Sequence, residues 1–307
     1  LLLPVAAPTT RPQKCTNCAA TVVPAFIGSV AQIDRRSIMM MTGFGLLAAT
    51  IPMPDAHAHP SRPSPPAAPS PAAPPGAASG GYIFQDEFDG PAGQGPDLAK
   101  WTVWNWDEDV YPPVLGHYRA QNVFLDGNSN LVLRATQEGD QWYTGKIHSN
   151  WKGGIGHTWE ARIKFNCLTP GCWPAFWTVN EEPLPDGEVD VVEWYGNGDW
   201  PAGTTVHARS DGKTWEGKSI PELVDSGWHT WRMRWDDDGF KFWRDYVDGA
   251  APYFTVAAKP IKGVWPFNQP GYLMAAIFSL AVGGPGAGDP ALGTFPADML
   301  IDYIRVW

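Results

Sequence analysis

The sequence predicts an all-β fold, a two-sheet antiparallel β-sandwich, and three observations carry that prediction. From Tyr82 onward the dominant hydrophobic period is two, the period of a half-buried strand. Turn-forming residues recur between the alternating runs: Asp126-Gly127-Asn128, Asp211-Gly212, Asp238-Gly239, Asp248-Gly249 and Gly283-Gly284. No stretch combines a helical period with helix caps. Strands that are apolar on one face become stable when two sheets close over a shared core.

The elements follow in chain order. Leu131, Leu133 and Ala135 alternate with Val132, Arg134 and Thr136. Trp159, Ala161, Ile163 and Phe165 alternate with Thr158, Glu160, Arg162 and Lys164. His229, Trp231, Met233 and Trp235 alternate with Thr230, Arg232 and Arg234. Phe242 and Tyr246 share a parity and are expected on one strand face. Ile301, Tyr303 and Arg305 are expected to alternate with Ile304 and Val306.

Residues 82–307 form the expected folded domain, and what precedes them reads differently. The chain begins at Leu1 and its first methionine is Met39. Residues 34–58 read as an export signal: Arg35-Arg36, an uncharged apolar stretch from Ile38 to Ile51, and Ala56-His57-Ala58 as a cleavage site before His59. The paired arginines suggest the twin-arginine route. The apolar run is shorter than the ~20 residues a bilayer demands, so no stable membrane span is expected after processing. Residues 1–33 have no place upstream of such a signal, and translation is expected to start near Val30. Residues 59–81, made of Pro, Ala, Ser and Gly with His59 and Arg62, read as an extended linker. Cys15 and Cys18 find no second pair with metal-site spacing. Cys167 and Cys172 flank a Pro-Gly turn, and both a disulfide and two free thiols remain open.

Charge and composition narrow the function. Residues 82–307 carry 17 basic and 30 acidic side chains, a net −13, which disfavours nucleic acid and anionic membranes as partners. Composition excludes collagen, coiled coil and a multi-span membrane protein. All 17 tryptophans lie at or after Trp101. That density exceeds the usual needs of one core, and flat rings suit sugar faces or apolar ligands.

One stretch concentrates acids: Gly187-Glu188-Val189-Asp190-Val191-Val192-Glu193-Trp194. The valines mark a buried strand, so three carboxylates there repel one another and raise at least one pKa. Such a cluster costs stability and marks function. In a regular strand Glu188 and Asp190 share a face that Glu193 does not. A β-bulge at Val191-Val192 counts two residues as one and returns Glu193 to that face. Two carboxylates flanking a sugar linkage are what glycoside hydrolysis needs. Retention asks for a carboxyl separation of ~5–5.5 Å. Four strand steps span ~13 Å, so the strand must be concave and the side chains must lean inward.

With these residues the sequence resembles glycoside hydrolase family 16, in its laminarinase-like branch, and is most similar to exported mycobacterial β-1,3-glucanases of that family. Glu188, Asp190 and Glu193 match its bulged E-x-D-x-x-E pattern. Phe84 to Gly90, Trp101, Gly171 to Trp177, Ala281 to Gly284, Phe295 to Met299 and Asp302 to Val306 match further segments in order. The resemblance implies a concanavalin A-like jelly roll with a concave substrate cleft. It implies Glu188 as nucleophile, Glu193 as acid/base and Asp190 as the residue holding their charge states apart. It implies Trp173 and Trp177 as glucose platforms, with His207 beside the acid/base or bonded to backbone in the core. Trp194 either floors the cleft or packs, and the cleft is the expectation. Ser279 stands where many relatives carry Asn, and Cys172 precedes the first platform. A structural calcium is implied at Glu87, the Gly127 carbonyl and Asp302, and no cofactor for catalysis. The implied protein is a secreted or cell-envelope monomer acting on β-glucan, an endo-β-1,3-glucanase. The alternatives are a mixed-linkage β-glucanase, a transglycosylase, or a glucan-binding module with a dead site.

Overall fold

The computed structural model describes residues 81–105, 114–180, 186–209, 215–261 and 264–307. The upstream segment, the export signal, the linker up to Gly80, Cys15 and Cys18, and the Asp211-Gly212 turn lie outside the described residues. The described chain is strand throughout apart from loops and two single 3₁₀ turns, Ala120–Asn122 and Pro290–Leu292. The strands are β1 (Phe84–Asp86), β2 (Trp101–Val103), β3 (Gly116–Tyr118), β4 (Val123–Leu125), β5 (Leu131–Glu138) and β6 (Gln141–Thr144). Next come β7 (Lys146–Gly153), β8 (Thr158–Asn166), β9 (Cys172–Val179), β10 (Gly187–Glu193), β11 (Gly203–Arg209) and β12 (Trp215–Pro221). The last are β13 (Trp228–Asp236), β14 (Gly239–Arg244), β15 (Phe254–Ala257), β16 (Met274–Val282) and β17 (Ala297–Val306). Among the described residues no helix is long and apolar enough to cross a membrane.

Two sheets pack face to face, as period-two strands require. One, the cleft sheet, runs β12-β11-β10-β9-β16-β7-β2. The other, the back sheet, runs β15-β14-β13-β8-β17-β5-β6-β3, with β1 on β17 and β4 on β5. Neighbours are antiparallel except β3 and β6. The alternation places Leu131, Leu133, Ala135, Trp159, Ala161, Ile163, Phe165, Trp231, Met233 and Trp235 in one buried cluster. The cleft sheet supplies Phe176, Val189, Val191, Val192, Phe278 and Leu280 from the opposite side.

The tryptophans divide between core and cleft, as a number beyond one core's needs implies. Trp101, Trp159, Trp231 and Trp235 are wholly buried. The indole N–H groups of the last three meet no acceptor. Such an orphan costs about 1–3 kcal/mol, whereas burying a ring of about 150–250 Å² stabilises by roughly 4–6 kcal/mol at 25 cal/mol/Å². Burial wins.

Three sequence expectations change. β14 ends at Arg244, because Asp245 turns the chain at φ 50°, so Tyr246 does not continue the face of Phe242. Its ring instead covers Arg232 at 3.9 Å on the outside of the back sheet. In β17 the pairing with β8 slips at Asp302, so Ile301 joins Ile304 and Val306 in the core. Tyr303 faces outward and donates to Glu160, which also accepts from Arg232. His229 leaves the core pattern and bridges Asp225 and Asp245. Cys167 and Cys172 are buried free thiols. Burial pushes the Cys172 thiol up to about 12 and Cys167 well above the ordinary range.

Candidate active site

The site is built by five neighbouring strands, β11, β10, β9, β16 and β7. On β10, Asp190 pairs with Trp177 of β9, while Val192 pairs with Phe176 and Glu193 with Ala175. One residue on β10 is therefore extra, at Val191. The same slip appears against β11, where Asp190 faces Thr205 and Glu193 faces Gly203. Val189, Val191 and Val192 all enter the core, and Glu188, Asp190 and Glu193 all line the same pocket on the other face. The bulge does what the spacing required of it.

That pocket, of about 130 Å³, is also lined by Trp173, Trp177, Tyr118, Lys146, Ser279 and Ala281. One row of cross-strand partners floors it: Glu193, Ala175 of β9, Ser279 of β16 and Lys146 of β7. Trp173, Ala175 and Trp177 alternate outward on β9, while Cys172 and Phe176 are wholly buried. Trp177 donates its indole N–H to Ser279 Oγ at 3.1 Å. Lys146 is buried, its ammonium 3.7 Å from the Trp104 ring centre and 4.9 Å from that of Trp177.

The carboxylates differ in their partners. Glu193 accepts at both oxygens: Trp173 Nε1 donates to Oε1 at 2.9 Å, and Tyr195 OH donates to Oε2 at 2.6 Å. The neighbouring Asp190 favours the protonated form of Glu188. His207, the cross-strand partner of Glu188, puts Nε2 at 3.2 Å from Asp190 Oδ2. Gly217 makes room for that imidazole, since a Cβ there would lie 2.7 Å from Nδ1. Burial raises all three carboxyl pKa values, Glu188 and Asp190 well above the ordinary range. The neighbouring acids add to this at Glu188 and Asp190, and the bonds from Tyr195 and Trp173 oppose it at Glu193. Three acids this close titrate as a unit.

Sequence reasoning placed Glu188, Asp190, Glu193, Trp173, Trp177 and His207 together, and the structure brings them together. Trp194 is different. Once the bulge turns Glu193 into the pocket, its neighbour must face the other way, and Trp194 packs against the core. Four pocket-side residues were missed: Tyr118, Lys146, Tyr195 and Trp200. Tyr195 follows Glu193 with strand parity, which was the available signal.

Glu188, Asp190 and His207 bring one ligand atom each within 4.8 Å of one another, so this cluster could also hold a cation. The calcium positions fit less well. Arg305 bonds both oxygens of Glu87, at 2.9 and 2.8 Å, and Arg162 bonds Asp302 at 2.6 Å. Gly127 sits in a turn held by the Asp126 carboxylate. With each acid already engaged by a guanidinium, this donor set does not fit a calcium ion.

A β-sandwich whose bulged acidic strand opens into an aromatic-lined pocket has the architecture of a glycan-hydrolysing jelly roll. The sequence pattern of glycosyl hydrolases family 16 matches residues 115–304, and the chain belongs to that family. Among similar solved structures is a β-1,3-glucanase from Mycobacterium marinum, 55% identical, covering 75% of this chain and 100% of its own, with a TM-score of 0.69. Another is an immunostimulatory antigen and pseudo β-1,3-glucanase of Mycobacterium tuberculosis, 55% identical over 74% of this chain and 99% of its own, also with a TM-score of 0.69. Glucan endo-1,3-β-glucosidase A1 of Niallia circulans is 28% identical over 73% of this chain, which spans only 37% of that relative's length.

Proposed function

We propose that this chain is a secreted endo-β-1,3-glucanase that cleaves laminarin-like glucan with retention of configuration. The observation that carries the reading is the bulge of β10, which delivers Glu188, Asp190 and Glu193 into one pocket beside Trp173 and Trp177. Glu188 attacks the anomeric carbon as the glycosidic C–O bond breaks, and Glu193 gives its proton to the departing oxygen. Water, deprotonated by Glu193, then attacks the same carbon and releases Glu188. For the first step Glu188 must be ionised and Glu193 protonated. Without substrate the two Glu193 oxygens accept from Trp173 and Tyr195. A glycosidic oxygen arriving at Glu193 Oε2 displaces Tyr195, whose bond favours the carboxylate, so Glu193 holds its proton more readily there. Asp190 remains to orient the nucleophile. The chemistry needs no cofactor.

Endo action is supported beyond Glu193, where Tyr195, Trp200, Thr205 and Ser219 line a second cavity of about 170 Å³. Trp200 is 47% exposed and stands edge-on to Trp173. A chain can thus continue past Glu193 toward Trp200. Export through the twin-arginine route, a monomeric state and hydrolysis over transfer belong to the same proposal.

A second reading, glucan binding without turnover, is favoured by the tie of both Glu193 oxygens and by the relative described as a pseudo-glucanase. Reducing-sugar release from laminarin, with Glu188→Gln as control, decides between them. Release that disappears in Glu188→Gln supports hydrolysis; binding with no release in the wild type supports the second reading. Products from lichenan and agarose fix the linkage preference.

A further inference from the structure

A cavity of about 570 Å³ lies where the β5–β6 hairpin meets the 290–296 loop, and it shares no lining residue with the acidic pocket. Its apolar wall is two rings, Trp142 and Phe295, with centroids 4.5 Å apart and planes inclined at 57°. Trp142 packs partly against the core, so the wall is anchored in the fold. Around the rings stand groups that donate and accept hydrogen bonds. Gln137, exposed, faces Trp142 across the hairpin, and Thr294 is exposed on the loop. Arg134 is the one charged lining residue described, and Asp298 holds it through two bonds of 2.8 Å.

The chemistry selects a ligand class. The charge of Arg134 is already balanced, so nothing here calls for an anion or a cation. A purely apolar ligand would leave the amide, hydroxyl and guanidinium unused. A neutral sugar offers both a C–H face for the rings and a rim of hydroxyls for the polar groups. The volume falls in the range of about 300–1,000 Å³ typical of small-molecule sites. We infer that this cavity is a second carbohydrate-binding site, which takes a short stretch of the same neutral β-glucan chain that the acidic pocket cleaves. The identity of the sugar rests on the function proposed above. Holding the polymer at two points raises its effective concentration at the cleft without any new contact there.

The test measures retention on insoluble β-1,3-glucan beside hydrolysis of a soluble β-1,3-tetrasaccharide. Trp142→Ala and Gln137→Ala are compared with the wild type, and their folding is checked by near-ultraviolet circular dichroism. Retention is expected to weaken about five- to tenfold in both variants, while tetrasaccharide hydrolysis stays within about twofold. Gln137 is exposed, so its variant decides the matter if Trp142→Ala does not fold. Retention equal to wild type in Gln137→Ala, or no retention of the wild type, overturns the second site. The two readings fail separately. Hydrolysis with retention indifferent to these residues removes the cavity alone. Retention that depends on them without any hydrolysis removes the glucanase alone.

Discussion

Glu193 is the residue on which the proposed chemistry turns, because both its oxygens accept hydrogen bonds in the site at rest. The Tyr195 bond favours the carboxylate, so its loss must raise the Glu193 pKa further. Glu193 must be protonated to act as an acid, and activity falls as pH rises through its pKa. Tyr195→Phe is therefore expected to move the alkaline limb of the kcat/KM profile upward by about one pH unit, the worth of one such bond. A limb that stays in place contradicts the role given to Tyr195. Glu188 makes a stability prediction. Its folded pKa lies well above the ordinary value, chiefly through burial. The folded state thus holds a proton that the unfolded chain releases in the ordinary carboxylate range. Stability is full below that range and is lost as pH rises toward the raised value. Glu188→Gln removes the penalty, so it should melt higher than wild type at pH 7 and equally at pH 4. Each kcal/mol relieved is worth about 2–4 °C in melting temperature. The acids were legible in the sequence because three carboxylates among valines have no bland explanation. Lys146 was not, since a lysine in a strand reads as solvated until Trp104 and Trp177 are seen to cover it.

At the scale of elements, two slips of register show what alternation can and cannot reveal. The bulge of β10 was legible, because only an extra residue lets Val191 and Val192 both enter the core and the three acids share a face. The slip at Asp302 in β17 was not, because Tyr303 is apolar enough to fit either phase and Ile304 and Val306 alternate correctly by themselves. Deleting one of the two valines leaves Glu-Val-Asp-Val-Glu, a regular strand that keeps both glutamates on one face. The shortened protein should lose about 1.5–3 kcal/mol with the buried valine yet retain measurable laminarin hydrolysis. Inserting Ala between Val191 and Val192 moves Glu193 one pair, ~6.6 Å, along the strand, and should abolish it. An active insertion beside a dead but folded deletion contradicts the bulge account. The loop after β16 matters in the same way. Gly286 backs the Trp173 ring, and a Cβ there would lie 2.6 Å from an indole carbon. Gly286→Ala should displace the ring and weaken oligosaccharide binding about tenfold, or 1.4 kcal/mol, as read by calorimetric titration.

For the molecule as a whole, the sandwich assigns each face one task. The inner faces hold Trp159, Trp231 and Trp235 in the core, and the outer face of the cleft sheet exposes Trp173 and Trp177 beside the acids. The sequence showed the two-sheet fold through its period, but it could not show which tryptophans faced which way, because that depends on strands distant in the chain. The net charge of −13 over residues 82–307 bears on the partner. A neutral glucan feels little of that field, so raising the ionic strength to about 0.5 M, where screening is nearly complete, should change kcat/KM on laminarin by less than about twofold. A strong salt dependence would indicate a charged substrate. The central claim is that β10 carries a nucleophile and an acid/base acting from opposite sides of one bond by double displacement. Proton nuclear magnetic resonance of the first product released from a β-1,3-glucan tests it most directly. The account predicts the β-anomer at the new reducing end, appearing before mutarotation and absent in Glu188→Gln. An α-anomer, or no release by the folded wild type, contradicts it.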